Sequence, residues 1–328
     1  TRKQIATSFR CSPSQVLFTS GGSEADNLVL QNAAQHWGIK RFISSEIEHH
    51  AVLHALDAIK KDNDVAVDYV RINAFGEVDM EHLEELLKSS TVPCLVSLML
   101  VNNEIGNLLN VSAVSALCKE HGALFHSDTV QGVGHVAFNL EDNPIDFIAA
   151  SAHKFHGPKG VGFAIVPKGM HIEPLIHGGE QEMGTRAGTE NTHSIAGMGK
   201  ALQMALDNFV TEREYVSGLK QYFIEELKSN FKEIEFNGRS ADSEKGAFHI
   251  LSVRFPKDVP MLLFNLDLNG ISASGGSACQ SGSNKGSHVL SAILDEKESE
   301  KTSVRFSFSK HNTRQEIDRV IEVLKDLI

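Results

Sequence analysis

The sequence has few cysteines, less positive than negative charge and no long apolar run. Its 328 residues include four cysteines, which lie too far apart for a disulfide framework or a CxxC metal site. There are 31 Lys and Arg against 42 Asp and Glu, a formal net charge of −11, with no basic stripe. Nucleic acid is therefore not an expected partner, because binding to it depends on neutralising phosphates.

The lack of long apolar runs also argues against a membrane partner. The longest strongly apolar run, residues 94–101, is far below the ~20 residues that a membrane-spanning helix needs. No basic and then apolar leader opens the chain. We expect a reducing compartment, namely the cytoplasm, with an organelle matrix as the alternative.

Short apolar or β-branched runs alternate with helix-like segments from residue 15 to residue 166. This alternation predicts an α/β fold with a mostly parallel central sheet and helices on both faces. Ser23 and Asp26 have the spacing of a capping box that would open the helix after the first strand. The predicted strands are residues 15–19, 41–44, 65–70, 94–100, 124–126, 147–150 and 162–166.

The rest of the chain predicts a smaller α+β C-terminal domain. A helical face formed by Ile195, Met198, Leu202, Leu206 and Phe209 precedes it, so we divide the chain into domains 1–208 and 209–328. Residues 272–287 are rich in Ser and Gly and predict a mobile loop. The predicted strands here are 248–253, 271–274 and 303–307, and the predicted helices are 261–269 and 314–327.

The first predicted strand is followed by a possible phosphate site. In open α/β sheets ligands bind outside the carboxyl ends of the strands. Gly21, Gly22 and Ser23 at a helix start offer backbone N–H groups to an anion, although an ordinary turn has the same sequence. The segment lacks the Lys of a Walker loop and the glycine spacing of a dinucleotide fingerprint, which argues against nucleotides.

Three histidines follow the second predicted strand. His50 and His54 share an i,i+4 face, but no Glu lies between them as in HExxH and no third ligand is evident. We therefore predict no metal site and interpret both as solvated histidines at a helix start. His49 lies nearest the strand end and is the better candidate to face a ligand.

A carboxylate and an amine follow later strands. Asp128 comes after an apolar run, where a buried carboxylate needs a cationic or N–H partner, although it could equally cap a helix. Lys154 follows the strand 147–150, and an ammonium in a cleft is costly unless it is neutralised or used covalently. An amine, a carboxylate, a flat ring and a phosphate-binding helix start are what pyridoxal phosphate requires, so we predict this cofactor.

Seven short motifs, in order along the chain from about Ile5 to Leu327, resemble those of cysteine desulfurases of the aminotransferase class V family. The resemblance implies a homodimer with the type I fold of pyridoxal-phosphate-dependent transferases. It also implies conversion of L-cysteine to L-alanine, with sulfur passing to an enzyme cysteine as a persulfide for iron–sulfur cluster or thio-cofactor synthesis. The motifs are FTSGGSEADN (18–27), EHHAVL (48–53), VNNEIG (101–106), HSDTVQ (126–131), SAHK (151–154), RAGT (186–189) and SGGSAC (274–279).

The resemblance also implies a role for each matching residue. For the cofactor ring, Lys154 binds covalently, Asp128 pairs with the pyridine nitrogen, His49 stacks on the ring and Gln131 lies near the ring hydroxyl. For the phosphate, the ligands are Gly22, Ser23, Ser151 and His153, with Thr189 reaching the phosphate of the partner subunit. The substrate carboxylate is held by Asn103 and Arg305, whose planar fork suits it.

Cys279 is the expected nucleophile. Its thiolate must reach the substrate sulfur and leave carrying it, which suits an exposed Ser/Gly-rich segment without a packing duty. Cys94 and Cys118 are expected in the core and Cys11 on the surface. Lys154 is the expected general base at the substrate Cα, and His49 is expected to carry the proton to the product.

The chain also departs from the family it resembles. It starts in a helix-like stretch, residues 1–9, where the family has several tens of earlier residues, so we expect it to be part of a longer protein. Met183 stands where many relatives carry Arg, and His249 where Asn is common. The alternatives that stay open are a selenocysteine lyase, another class V aminotransferase, or a catalytically impaired sulfur-carrier or scaffold homologue. A sulfur acceptor or scaffold protein is the expected partner.

Overall fold

A computed structural model of the chain describes residues 1–275 and 286–328. They form two compact units. The first contains Thr1–Arg71, Val78–Val101 and Leu109–Asp207, and the second contains Ile72–Glu77, Asn102–Leu108 and Asn208–Ile328. Two short segments that lie within residues 1–208 thus belong to the second unit. Within the described part of the chain, no helix is both long and apolar enough to cross a bilayer.

The first unit is built on a seven-stranded sheet. Its order is β1-β7-β6-β5-β4-β2-β3, and only β7 runs antiparallel to its neighbours, which confirms the mostly parallel sheet. Strands β4, β6 and β7 are buried along their whole length, as the near-continuous apolar runs predict. The strands are β1 (Val16–Thr19), β2 (Arg41–Ser44), β3 (Ala66–Tyr69), β4 (Cys94–Ser97), β5 (Leu124–Asp128), β6 (Phe147–Ser151) and β7 (Gly162–Ile165).

Helices follow most of these strands. The buried face of α2 packs with Phe42 of β2 and with Leu56 of α3 in one apolar cluster. Three short 3₁₀ turns, Pro13–Gln15, Ala152–Phe155 and Gln181–Gly184, complete the unit. The helices are α1 (Arg2–Ser8), α2 (Gly22–Gln35), α3 (His50–Asp62), α4 (Met80–Lys88), α5 (Val111–Glu120) and α6 (Thr192–Asp207).

The second unit is a three-stranded antiparallel sheet covered by helices. Its order is β10-β9-β8, with strands β8 (Glu235–Phe236), β9 (Ile250–Arg254) and β10 (Ser303–Ser307). Phe223, Leu251, Val304 and Ile321 are buried in its core. The helices are α7 (Phe209–Asn230), α8 (Leu262–Leu268), α9 (His288–Ile293), α10 (Glu296–Ser299) and α11 (Arg314–Leu327).

Three local predictions are wrong. Residues 271–274 form no strand, since only Ser274 makes an isolated bridge, to Arg305. Ser23 and Asp26 form no capping box, because α2 already starts at Gly22, which places Asp26 in its second turn. The predicted helical face from Ile195 to Phe209 is not formed by one helix, because α6 ends at Asp207 and the next helix starts at Phe209. Leu206 is 38% exposed.

An ion cluster around Glu77 joins two segments of the second unit, Ile72–Glu77 and Asn208–Ile328. Its carboxylate accepts hydrogen bonds from Arg239 at 3.0 and 2.9 Å and from Lys245 Nζ at 2.8 Å. The guanidinium of Arg239 lies 4.0 Å from the centre of the Phe75 ring. The hydrogen bonds from Arg239, aided by those from Lys245, lower the pKa of Glu77 to about 2.

We expect Glu77→Gln to lower the melting temperature by about 2–4 °C at pH 7, because the charge-assisted bonds are lost. The pKa of Glu77 is depressed in the folded state, so its stabilisation is present above the unfolded pKa of about 4.3 and is lost as the pH falls towards 2. The difference between wild type and variant should therefore shrink between about pH 6 and pH 3 in thermal unfolding. Glu244→Gln, an exposed neighbour, is the control. Equal losses in both variants would contradict the prediction.

Candidate active site

The carboxyl ends of β1, β2, β5 and β6 lie at one edge of the first sheet, because these strands point the same way. The residues predicted to hold the cofactor follow these ends. Ser23 lies in α2 after β1, His49 caps α3 after β2, Asp128 ends β5, and Lys154 lies in the 3₁₀ turn after β6. The topology thus collects them at the edge where α/β proteins bind ligands.

The start of α2 lies against the end of β6. No side chain caps Gly21, so the N–H groups of the first turn have no partner within the helix. A Cβ placed on Gly21 would lie 3.4 Å from the Ser151 hydroxyl oxygen, and that oxygen is 2.8 Å from Nδ1 of His153. A helix N-terminus, a hydroxyl and an imidazole therefore adjoin. This combination fits a phosphate group.

Gly22 is required by the packing at this point. A Cβ on Gly22 would come within 2.4 Å of Cγ2 of Val130. Since a carbon atom cannot approach so closely, α2 can contact the turn after β5 only through a glycine. Gln131, half-buried, follows in the same turn.

Asp128 is a buried carboxyl group, 5% exposed, at the end of β5. Its Oδ1 accepts a hydrogen bond from Val130 N at 2.8 Å. Burial, and after it the neighbouring Asp26, raises the pKa of Asp128 to about 8, while Lys154 acts in the opposite direction. A desolvated carboxylate gains most from a cationic partner, so Asp128 fits the protonated nitrogen of a pyridine ring.

His49 is held at the start of α3 by one of its ring nitrogens. Its Nδ1 accepts a hydrogen bond from Ala51 N at 3.1 Å, so the proton of the neutral ring lies on Nε2. The ring of His50 lies 6.3 Å from that of His49 and stacks on His54 at 4.8 Å. His54 is exposed and His50 half-buried. In residues 1–275 and 286–328 no three His, Cys, Asp or Glu side chains are grouped as metal ligands.

Thr189 is exposed and lines a cavity of about 190 Å³ in the first unit. Phe18, Glu182 and Arg186 line the same cavity. Arg186 is held by Glu24, which accepts from its Nε at 3.0 Å. The exposure of Thr189 is compatible with a contact to a second subunit.

The two residues predicted to hold the substrate carboxylate lie together in the second unit. Nη1 of Arg305, on β10, donates to the backbone oxygen of Asn103 at 2.7 Å. The segment of Asn103 is a tight turn, in which Asn102 Oδ1 accepts from the N–H groups of Glu104 and Ile105 at 2.9 and 3.0 Å. Cys279, the predicted nucleophile, and most of the predicted mobile loop 272–287 lie outside the described residues.

Two buried acids lie at the sheet edge, of which the sequence indicated Asp26 only as part of a capping box and Glu48 only as part of a motif. Asp26 and Glu48 are each 1% exposed, and burial raises the pKa of each to about 8. A signal was present for Asp26, since residues 22, 26, 29 and 33 share one face of α2 and all are buried. Glu48 lies between β2 and α3, so no helical periodicity indicated that it is buried.

The other cysteines are placed largely as predicted. Cys94 and Cys118 are 5% and 2% exposed, which confirms them as core residues. Burial raises the pKa of the Cys94 thiol to about 12, so this thiol is unreactive. Cys11 is half-buried, and not fully on the surface as expected, because it follows α1 closely.

The family model described as aminotransferase class-V matches residues 1–320. The chain belongs to this family. The cysteine desulfurase IscS of Clostridium botulinum strain Hall is 39% identical over all of this chain and 82% of its own length. The putative cysteine desulfurase IscS 1 of Bacillus subtilis is 36% identical over all of this chain and 86% of its own. The solved NifS-like protein of Rickettsia africae is 32% identical, with a TM-score of 0.88 over 99% of this chain and 86% of that one.

These similarities confirm three predictions. The class V membership and the cysteine desulfurase relatives confirm the prediction of a cysteine desulfurase and the prediction that it depends on pyridoxal phosphate. The NifS-like neighbour confirms the α/β fold. The roles of single residues are not tested by these similarities and remain predictions.

We expect Gly22→Ala to weaken pyridoxal phosphate binding at least about tenfold, because the new methyl group pushes the start of α2 away from Val130. Titration of the apoprotein with the cofactor, followed by visible absorbance, measures the affinity. Gly218→Ala is the matched control, since a Cβ there meets no atom within 4 Å. Val130→Ala should partly restore binding in the Gly22→Ala background. Unchanged affinity in Gly22→Ala would contradict the assignment of this helix start to the phosphate.

Proposed function

We propose that the chain takes sulfur from L-cysteine, using the residues at the carboxyl edge of the first sheet together with Asn103, Arg305 and Cys279, and supplies it for iron–sulfur cluster or thio-cofactor synthesis. The observation that carries this assignment is the convergence of Lys154, buried Asp128, His49 and the uncapped start of α2 at one sheet edge. Each of these groups serves a different part of pyridoxal phosphate.

The described residues fit the cofactor as follows. The first turn of α2, with Gly22 and Ser23, binds the phosphate together with Ser151 and His153. Asp128 would pair with the pyridine nitrogen, and Lys154 would bind the aldehyde carbon. His49 would contact the ring face, and Gln131 would serve its hydroxyl. Bound pyridoxal phosphate supplies an electron sink for the charge that develops when the substrate Cα loses its proton.

The residues of this chain move the protons. Lys154 Nζ, as a free amine, removes the Cα proton of L-cysteine. His49 carries its proton on Nε2, since Nδ1 is engaged by Ala51 N, and this Nε2–H returns a proton to the product carbon. Arg305 and Asn103 bind the substrate carboxylate, which fixes the orientation of Cα.

Cys279 accepts the sulfur. Its thiolate attacks the sulfur of the substrate, an S–S bond forms, and the C–S bond breaks with its electron pair remaining on the substrate carbon. Protonation of that carbon by the Nε2–H of His49, together with return of the Cα proton from Lys154, yields alanine, and a persulfide remains on Cys279. An acceptor or scaffold protein then takes the terminal sulfur.

The assembly that we propose is a cytoplasmic homodimer. Thr189 lies in an exposed run, residues 188–191, which suits contact with the phosphate held by a second copy of the chain. The curated relatives named above are bacterial proteins, which favours the cytoplasm.

Lys154→Ala should abolish the visible absorbance of the bound cofactor and lower sulfide production by at least about 10³-fold, because both the covalent link and the general base are lost. Absorbance spectra and sulfide release from L-cysteine with a reductant measure the two effects. Lys168→Ala, an exposed lysine, is the control. A protein without visible absorbance, or one whose absorbance survives Lys154→Ala, would overturn the cofactor assignment.

Cys279→Ser should abolish persulfide formation and sulfide release while the cofactor absorbance is retained, since only the acceptor thiol is changed. Alanine and sulfide are quantified with L-cysteine as substrate, and Cys11→Ser is the matched control. Sulfide release equal to that of wild type would contradict the persulfide mechanism. Formation of a keto acid would instead identify an aminotransferase, and turnover of L-selenocysteine alone would identify a selenocysteine lyase.

A further inference from the structure

Asp26 is a buried acid without a role in the site described above. It lies in the second turn of α2 and is 1% exposed. Its Oδ1 is 3.4 Å from Nε2 of His126. Within the described residues, no hydrogen bond of ordinary geometry reaches either of its oxygens. A buried carboxylate in such a place would be desolvated without compensation.

His126 is held rigidly next to it. The ring is fully buried, and Nδ1 lies 2.8 Å from the Ser97 hydroxyl oxygen. Ser97 is itself fixed, because its backbone oxygen accepts from Ser44 Oγ at 2.9 Å. His126 lies two residues before Asp128 on β5, so both side chains are on the same face of the sheet. The ring therefore connects Asp26 to the strand that carries Asp128.

Three buried acids share this edge, and they differ in their hydrogen-bond donors. Glu48 accepts from Ser45 Oγ at 2.8 Å and Met99 N at 3.2 Å, and Asp128 accepts from Val130 N at 2.8 Å. Such donors favour the charged form of a carboxyl group. Three buried acids whose charges repel one another cannot all be ionised without a large cost in free energy. The proton is therefore held most favourably by Asp26.

The protonation state of His126 agrees with a proton on Asp26. Burial lowers the pKa of His126 to about 4, so the ring is neutral at physiological pH and carries one proton. A neutral ring that donates from Nδ1 to Ser97 leaves Nε2 as an acceptor that faces Asp26.

We propose that Asp26 stays protonated and donates its O–H to Nε2 of His126, which leaves the negative charge at this edge available to Asp128. Asp26 is then a positioning residue for the cofactor ring, and this role rests on the proposed function of Asp128. The groups that face Asp26 are His126 and Asp128 on β5 and Glu48 after β2, with Lys154 acting on Asp128. An ionised Asp26 would place a second negative charge beside Asp128 and weaken its hold on a single cation.

The first test is the stability of the full-length apoprotein. A group protonated in the native state but ionised in the unfolded chain makes stability fall as the pH rises, from about pH 4 to its native pKa of about 8. Asp26→Asn imitates the protonated acid and lacks this dependence. The melting temperature of Asp26→Asn relative to wild type should therefore rise between pH 5 and pH 8. A relative melting temperature that falls or stays constant over that range would overturn the proposal.

The second test is the affinity of the apoprotein for pyridoxal phosphate at pH 7, followed by visible absorbance. Asp26→Asn should stay within about threefold of wild type, whereas Asp26→Leu, which cannot donate to His126, should bind at least about tenfold more weakly. Equal affinity of the two variants would overturn the positioning role. Asp128→Asn distinguishes the proposed role of Asp128 toward the cofactor from the proposed protonation of Asp26. If it binds as wild type does, the proposed function of Asp128 fails, while the stability result still reports the protonation of Asp26.

Discussion

The burial of negative charge at the carboxyl edge of a parallel sheet constrains the whole first unit. Asp26, Glu48 and Asp128 are each at most 5% exposed, so each must find donors or a proton inside the protein. Backbone N–H groups, the Ser45 hydroxyl and the buried ring of His126 meet part of this need. What remains is a carboxyl group at the end of β5 that is best satisfied by a cation. Lys154 acts on this carboxyl group from within the chain, and the positively charged ring of the cofactor is the second cation that we propose for it.

Much of the first unit could be predicted from the sequence because strands buried on both faces read as continuous apolar runs. Strand β2 of the first unit has the predicted bounds, and so do strand β10 and helix α11 of the second unit. The strand predicted at 271–274 is wrong because four residues of alternating apolar and polar type do not reveal whether a partner strand is available, and of these residues only Ser274 forms a bridge. The capping box failed because a glycine, Gly21, took the N-cap position. Asp26 instead lies in the second turn of α2 and is buried.

The candidate site was predictable to the extent that its residues follow strand ends. Lys154, Asp128 and His49 share the same edge for that reason, and the contact between Arg305 and Asn103 joins two motifs that are distant in the chain. The approach of Asp26 to His126 could not be predicted, because it depends on how α2 packs over β5 and on no local pattern. The same holds for the crowding at Gly22, which requires the position of Val130.

The pairing of β1 sets the order in which the site can assemble. Among the strands that the structure describes, β1 pairs only with β7, and Thr19 lies opposite Gly162, about 140 residues later in the chain. At a synthesis rate of about 5–20 residues per second, this delay on the ribosome is on the order of 10 s. Until then β1 is an unpaired edge, and the helix start that it leads into has no fixed place. The helix start that we propose for the phosphate can therefore gain this strand neighbour only after all other strands of the first sheet have been synthesised.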